Sequence, residues 1–205
     1  MFVDWMKYES YALKKKVKKN EVLYRQGSDE QGFYYLYNGK CSIHVLGIDG
    51  HERMIDVIYP GRLLGEQMVN GSSSFTTAKA MENSIVYFFS KENFSKIVQK
   101  YPDVADSFSH SLIKKIRFLV RINLLVKAPA EVQLAAFFLN VLEGKQSNTL
   151  EFTQKDLANY IGKSRVTVWK LLREFEKQKI IHLSTKQIII KEVKALYDIV
   201  HLNSG

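Results

Sequence analysis

Four side chains in the last quarter of the chain have types and a spacing that point to chemistry. In "SRVTVWKLLREFEKQKII" (Ser164 to Ile181), Arg165 and Val166 are followed one turn later by Trp169 and Lys170. On a helix these four lie on one face. Arginine and lysine bring permanent charge and several N–H donors, suited to phosphates and to acceptor-rich base edges. Val166 offers no hydrogen bond, only apolar contact such as packing on a methyl group. Trp169 has two readings, against a methyl or sugar wall or against a preceding helix.

Other candidate chemistry is thin. Glu66, His44 and His51 are scattered over strand-like or turn-like segments with no nucleophile–base spacing and no metal-ligand pair, so no enzyme is expected. Gly162-Lys163-Ser164 has the ending of a phosphate loop, but the glycine needed five residues earlier is Leu157. The single cysteine, Cys41, excludes a disulfide framework and a cysteine-ligated cluster within one chain. Haem would need His44, His110 or Cys41 as an axial ligand, with nothing to favour any of them. Neither a metal nor a cofactor is expected.

The elements that must position the four residues are legible around them. Thr153 with Asp156 resembles an N-terminal cap ahead of Leu157, Ala158 and Ile161, Gly162 supplies a tight turn, and Ser164 caps a second helix. Ala158 is small where two helices would cross, and Val168 with Leu171 would plug the second helix into the first. This is the helix-turn-helix pattern. Behind it, "KIIHLSTKQIIIKE" predicts two short strands turning at Ser184-Thr185-Lys186, a wing. A winged helix can also serve as a protein-interaction module, but the cations Lys163, Arg165, Lys170 and Lys186 favour DNA. Arg165, Val166, Trp169 and Lys170 are the expected base-contacting set; Thr153, Lys163, Ser164, Thr167 and Lys186 are the expected phosphate-contacting set.

Upstream, the period changes twice. From about Val17 to Phe89, short β-rich runs (Tyr34–Tyr37, Ile43–Leu46, Met54–Tyr59, Ile85–Phe89) are broken by turn residues, with Asp49-Gly50 a hairpin turn. The lysine run Leu13–Lys19 reads as a solvated strand edge. From Pro102 to about Val126 a single long helix is predicted. Ala105, Leu112, Leu119 and Val126 recur every seven residues, with Ser109, Ile116 and Asn123 between them. Ile113, Val120, Phe108 and Ile122 flank this seam, enough apolar surface for the chain's own barrel and a partner helix together. The expected dimer interface is Leu112, Ile116, Leu119, Asn123 and Val126; a core helix of a monomer is the alternative. "KAPAE" breaks the helix, and Pro129 begins another that runs to Gly144.

The formal net charge of +9 on 205 residues favours a polyanionic partner, or else a solvated basic surface. At 46% hydrophobic and 25% charged, with no membrane-length apolar run and no secretory leader pattern, the chain reads as globular and cytoplasmic. The fold class is α+β. Three segments are expected: a β-roll sensor over 1–100, a dimerisation helix over 101–127 and a winged helix-turn-helix over 128–205.

From about Val17 to the end the chain resembles the cyclic-AMP-receptor and fumarate–nitrate-reduction regulator (Crp/Fnr) family. The residues carrying the resemblance are "YRQGS", "YYLYNGKCSI", "IDGHERMIDVIYPGRLLGE", the long helix opened by "YPD", and the winged helix. The resemblance implies a homodimeric bacterial transcription regulator that binds a palindromic operator in double-stranded DNA, and meets RNA polymerase if it activates. Its N-terminal double-stranded β-helix, a jelly roll of the cyclic-nucleotide-binding kind, would sense a small effector. Effector binding near the long helix would act on the reading heads through a hinge at Lys127–Pro129. A second reading within the resemblance is a cyclic-nucleotide-type signalling module whose winged helix contacts protein.

Two departures from the family pattern carry expectations. Family members typically hold glutamate where this chain has Val166 and arginine where it has Lys170, so the half-site is expected to shift from TTGAT-like to TTAAT-like. A similar valine occurs in the branch of the family that senses halogenated aromatic compounds. In the sensor, Gly65-Glu66 matches the pair that meets a ribose, but Thr76-Thr77 stands where Arg-Ser would meet the phosphate. Leu119-Val120 stands where paired hydroxyl residues would meet adenine. Cyclic AMP is therefore not expected. An apolar or aromatic effector is, in a pocket of Gly65, Glu66, Phe75, Thr76, Thr77, Ile113, Leu119 and Val120, unless these residues merely fill a core.

Overall fold

The run Phe33-Tyr34-Tyr35-Leu36 is apolar at every position because both faces of its strand are covered. Tyr34 and Leu36 point into the space between two sheets, and Phe33 and Tyr35 point the other way, under helices. The computed structural model describes residues 4–48, 50–143, 147–185 and 187–202. The chain divides into two units, Met1–Leu119 and Val120–Gly205, and the boundary falls inside the long helix.

The first unit begins with a 3₁₀ helix, Trp5–Tyr11. Strands β1 (Leu13–Val17), β2 (Val22–Tyr24), β3 (Gly32–Asn38), β4 (Cys41–Leu46), β5 (Glu52–Ile58) and β6 (Leu63–Leu64) follow. A second 3₁₀ turn, Glu66–Met68, precedes β7 (Thr77–Ala80), β8 (Ser84–Ser90), α1 (Lys91–Lys100) and α2 (Asp103–Leu125). The strands form two antiparallel four-stranded sheets, β1-β8-β3-β6 and β2-β7-β4-β5. Tyr24, Leu36, Cys41, Ile58, Leu64 and Val86 fill the space between them. On the outer face of the first sheet, Trp5, Phe33, Phe89, Ile97 and Phe108 join the 3₁₀ helix, α1 and α2 to β3 and β8. This is the expected β-roll.

The lysine run belongs to β1 itself, an edge strand, where charge deters pairing with a second sheet. The ammonium of Lys15 lies over the rings of Tyr34 and Phe88. The β4–β5 hairpin pairs Cys41 with Ile58 through Leu46 with Glu52. Of its expected turn, Gly50 takes φ +75°, and Asp49 lies outside the described residues.

Helix α2 carries two stripes. Val104 and Phe108 are buried, and Ser111, Lys115, Phe118, Ile122 and Leu125 are half-buried along the same side. The seam side, Leu112, Ile116, Leu119, Asn123 and Val126, is exposed in the single chain. The sequence places a dimerisation helix over 101–127, and the structure places the helix itself over Asp103–Leu125. Its opening turns are part of the roll, because the apolar stripe begun at Val104 seals β3 and β8.

The second unit holds α3 (Ala130–Glu143), β9 (Thr149–Leu150), α4 (Gln154–Ile161), α5 (Arg165–Lys177), β10 (Ile181–Ser184), β11 (Gln187–Ile190) and α6 (Val193–Leu202). The expected end of α3 at Gly144 lies outside the described residues. The buried amide of Gln133 on α3 donates to the carbonyls of Val126 (3.3 Å) and Ala128 (2.9 Å), satisfying acceptors left free where α2 ends. Its wing is a three-stranded sheet, β10-β11-β9, in which β9 had no counterpart in the sequence reading.

Candidate functional site

The turn between α4 and α5 is built as the residue types require. Thr153 and Asp156 form a reciprocal capping box: the Asp156 amide donates to Thr153 Oγ1 (3.1 Å), and the Thr153 amide donates to Asp156 Oδ2 (2.9 Å). Gly162 ends α4 at φ +64°, a left-handed conformation that is costly with a Cβ. Ser164 caps α5, its Oγ accepting from the Thr167 amide at 3.1 Å. Val168, Leu172 and Phe175 are buried on the inner side of α5, and Leu157, Ala158 and Ile161 on α4. The expected plug Leu171 is only half-buried, and Leu172 takes that place. Neighbouring helix positions differ by about 100° in direction, so the crossing of the two helices decides between them.

All four residues expected to meet bases stand clear of that packing. Arg165, Val166, Trp169 and Lys170 are exposed, Val166 at 63% and Trp169 at 49%. The indole is therefore not sunk against α4; the guanidinium of Arg173 lies over it, 5.9 Å from the ring centroid. Lys163 is exposed beside them. The hydroxyls of Ser164 and Thr167 are 2.9 Å apart, so one hydrogen is used between them and the other is free for an outside acceptor. Thr153, expected to meet a phosphate, caps α4 in the free chain: its hydroxyl donates to Asp156 Oδ2 (2.7 Å) and its backbone amide to the same oxygen. Lys186 lies outside the described residues.

In the roll, Gly65 adopts φ +80° and opens the 3₁₀ turn that places Glu66 inside. A Cβ on Gly65 would come within 2.7 Å of Met68 Cε and 3.2 Å of the Tyr24 ring. Glu66 is buried, and its carboxylate is already engaged. Ser111 Oγ donates to Oε1 at 2.8 Å, and the Lys115 ammonium pairs with Oε2 while donating to the Leu63 carbonyl at 2.9 Å. Thr76 and Thr77 are buried too. Gln67 Nε2 donates to Thr76 Oγ1 and Ser74 Oγ, both at 3.0 Å, and the Gln26 amide donates to Thr77 Oγ1 at 2.9 Å.

The expected apolar lining is not assembled there. Phe75 points outward at 61% exposure, and Ile113, Leu119 and Val120 stand on the exposed side of α2. The residues brought together are polar, because Glu66 draws Ser111 and Lys115 to it from α2. Sequence reasoning missed both partners; a lysine and a serine one turn apart on the buried stripe of α2 were the available signal.

The scattered residues set aside as unreactive contain one juxtaposition. His44 Nε2 lies 2.8 Å from Ser42 Oγ, and His44 Nδ1 lies 3.7 Å from Glu52. Positions 42 and 44 share a strand face, and Glu52 comes from the paired strand. The trio is buried at Ser42 and His44, and Glu52 is engaged by Lys79 at 2.6 Å, so the serine has no access to a substrate. Burial raises the Glu52 carboxyl, but the Lys79 hydrogen bond and the nearby His44 more than offset this and hold it below its usual value. Cys41 is buried, and its thiol is pushed up to about 12. Among the described residues there is no group of three or more histidine, cysteine or acidic side chains that could hold a metal, and no helix long and apolar enough to cross a membrane.

Comparison with known proteins bears on both units. A family model described as a cyclic nucleotide-binding domain matches residues 14–101, and one described as a Crp-like helix-turn-helix domain matches residues 132–199. The chain is 25% identical over 198 residues to the anaerobic regulatory protein of Haemophilus influenzae, covering 93% of this chain and 77% of that one. It is 26% identical over 185 residues to the fumarate and nitrate reduction regulatory protein of Vibrio cholerae, covering 86% and 74%. FixK2 from Bradyrhizobium japonicum shares the fold, with a TM-score of 0.82 at 20% identity over 92% of this chain and 96% of that one. With one model matched to the roll and the other to the winged unit, the chain belongs to the Crp/Fnr family of DNA-binding transcription regulators.

Proposed function

We propose that the protein acts in the bacterial cytoplasm as a homodimer, each copy laying α5 in the major groove of one half of a palindromic operator. The observation that carries this is the exposed face of α5. Arg165, Val166, Trp169 and Lys170 occupy the first two turns of a capped helix whose opposite side is locked into α4. Arg165 and Lys170 read acceptors on base edges, Val166 packs on a thymine methyl, and the half-site is A·T-shifted, TTAAT-like. Lys163 and the Ser164–Thr167 hydroxyl pair hold phosphates. The exposed seam Leu112–Ile116–Leu119–Asn123–Val126 pairs with its copy, since an apolar stripe of this length is not left in water. RNA polymerase is a further partner wherever the bound dimer activates.

The roll responds to a small effector that is not a cyclic nucleotide. The carboxylate that would meet a ribose is held by Ser111 and Lys115, and Thr76 and Thr77 bring no charge to a phosphodiester. The effector read from the sequence is apolar or aromatic, and the groups it would meet at the Glu66 floor are polar.

A mobility-shift titration on palindromic duplexes tests the reading. A TTAAT-type palindrome is expected to bind about a thousandfold tighter than a scrambled duplex of the same composition at physiological salt. Equal binding to both at every salt concentration overturns it. Cyclic AMP added to the protein alone should leave its melting temperature unchanged, because a ligand of the folded state raises it.

A further inference from the structure

The face of α5 that carries Val166, Trp169 and Lys170 continues at Arg173, one turn beyond Trp169. The Arg173 guanidinium does two things at once. It covers the indole of Trp169, 5.9 Å from the ring centroid, and its Nη1 donates to Oε2 of Glu176 at 2.7 Å. The other oxygen of Glu176 leaves the helix altogether. Oε1 accepts the backbone N–H of Leu183 on β10, the first strand of the wing, at 2.9 Å, with His182 Nδ1 3.7 Å away.

One carboxylate therefore ties three parts of the reading head: the helix it sits on, the wing backbone and the cation lying on Trp169. A lone surface pair three residues apart on a helix adds little to stability, and Arg173 is largely in water. The arrangement does more for orientation. An indole half in solvent can adopt several side-chain torsions, and a guanidinium fixed at its far end over the ring favours one of them. The planar, delocalised guanidinium is also what an ammonium cannot copy on a ring face.

We propose that Arg173, held by Glu176, is a positioning residue for sequence recognition: it sets the plane of Trp169 against the base step that the indole meets. This rests on the reading that α5 lies in the groove with Trp169 towards the bases. It goes beyond that reading because Arg173 and Glu176 need touch no base themselves.

The test uses the full-length protein and its Arg173→Lys, Arg173→Ala, Glu176→Gln and Trp169→Ala variants. Binding-site selection is run on each, followed by titration of the wild-type consensus against single-position changes at several salt concentrations. Arg173→Lys keeps the charge, so the salt dependence should match the wild type, while discrimination falls roughly three- to fivefold at those positions that Trp169→Ala also relaxes. Glu176→Gln should do the same in part, since the amide still accepts from Leu183 but carries no charge to hold Arg173. In the free protein, acrylamide should quench Trp169 more readily in both Arg173 variants, while the buried Trp5 contributes an unquenched background.

If Arg173→Lys selects the wild-type consensus at every position while Trp169→Ala does not, this inference fails and the groove reading stands. If Arg173→Lys weakens all duplexes alike, Arg173 is a phosphate contact and the inference fails again. If the wild type shows no base preference, both readings fall together.

Discussion

The ammonium of Lys115 on α2 sits on the buried carboxylate of Glu66 in the β-roll, with Ser111 one turn earlier on the other carboxylate oxygen. Forty-nine residues separate the pair. It joins the turn that opens with Gly65 to the helix whose far side is the exposed seam. Burying a carboxylate is costly unless its charge is matched and its oxygens are hydrogen-bonded, and here both are. Any effector that reaches Glu66 must compete with the chain's own lysine.

Removing that lysine should expose the cost. Lys115→Met leaves the buried carboxyl of Glu66 without its cation, and should destabilise the chain by about 2 kcal/mol in urea denaturation, discounted because the lysine is about one-third solvent-exposed. Adding Glu66→Gln to Lys115→Met should recover much of the loss. If the double variant is as unstable as the sum of the single ones, the pair does not carry this energy.

Val166 should govern base preference. A Val166→Glu variant restores an acceptor for cytosine's amino group and should move the selected half-site from A·T back towards G·C by roughly 1–3 kcal/mol of discrimination. The check is binding-site selection on the two proteins side by side. An identical consensus from both would remove Val166 from the reading set.

Ile116, at the centre of the seam and 60% exposed in the single chain, should decide assembly. Ile116→Glu places two like charges at the paired helices and should yield a monomer by sedimentation. Its melting transition should fall and lose its dependence on protein concentration, since a partner copy no longer stabilises the folded chain by mass action. Operator affinity should fall at least about a hundredfold, because the second half-site is lost. A dimer that persists in this variant would assign the contact to another surface.

Acid should loosen the wing from the reading helix. The Leu183 amide, and after it the Arg173 guanidinium, outweigh desolvation and hold the Glu176 carboxyl below its usual value. A folded-state value below the unfolded one means that this attachment is present above the ordinary carboxylate range and is lost as pH falls through the depressed value. Hydrogen exchange at the Leu183 amide should therefore lose protection on acidification relative to amides in the β10–β11 ladder. In Glu176→Gln that extra pH dependence should vanish.

Much of the reading head was legible because its determinants are local. The Thr153–Asp156 box, the Ser164 cap and the turn at Gly162 are each settled within one helical turn, where residue type and spacing suffice. The same holds for the strand periods, the heptad along α2 and the hairpin of the wing. The helix α6 and the strand β9 were not legible. A ten-residue helix after the wing and a two-residue strand before α4 owe their stability to what they pack or pair against, α3 for one and β11 for the other.

The interior of the roll around Glu66 shows where residue order stops being informative. Glu66, Ser111 and Lys115 meet only because the 3₁₀ turn at Gly65 directs one of them inward as α2 passes beside it, and Thr76 turns away from solvent while Phe75 turns towards it. Sequence alone determined the kinds of element and the chemistry of the α5 face, since backbone propensities, caps and hydrophobic periods act over a few residues. Tertiary structure decided which polar groups share the roll's interior, and that Leu172 and not Leu171 locks α5. Those outcomes depend on chain path and helix crossing, which no local interaction sets.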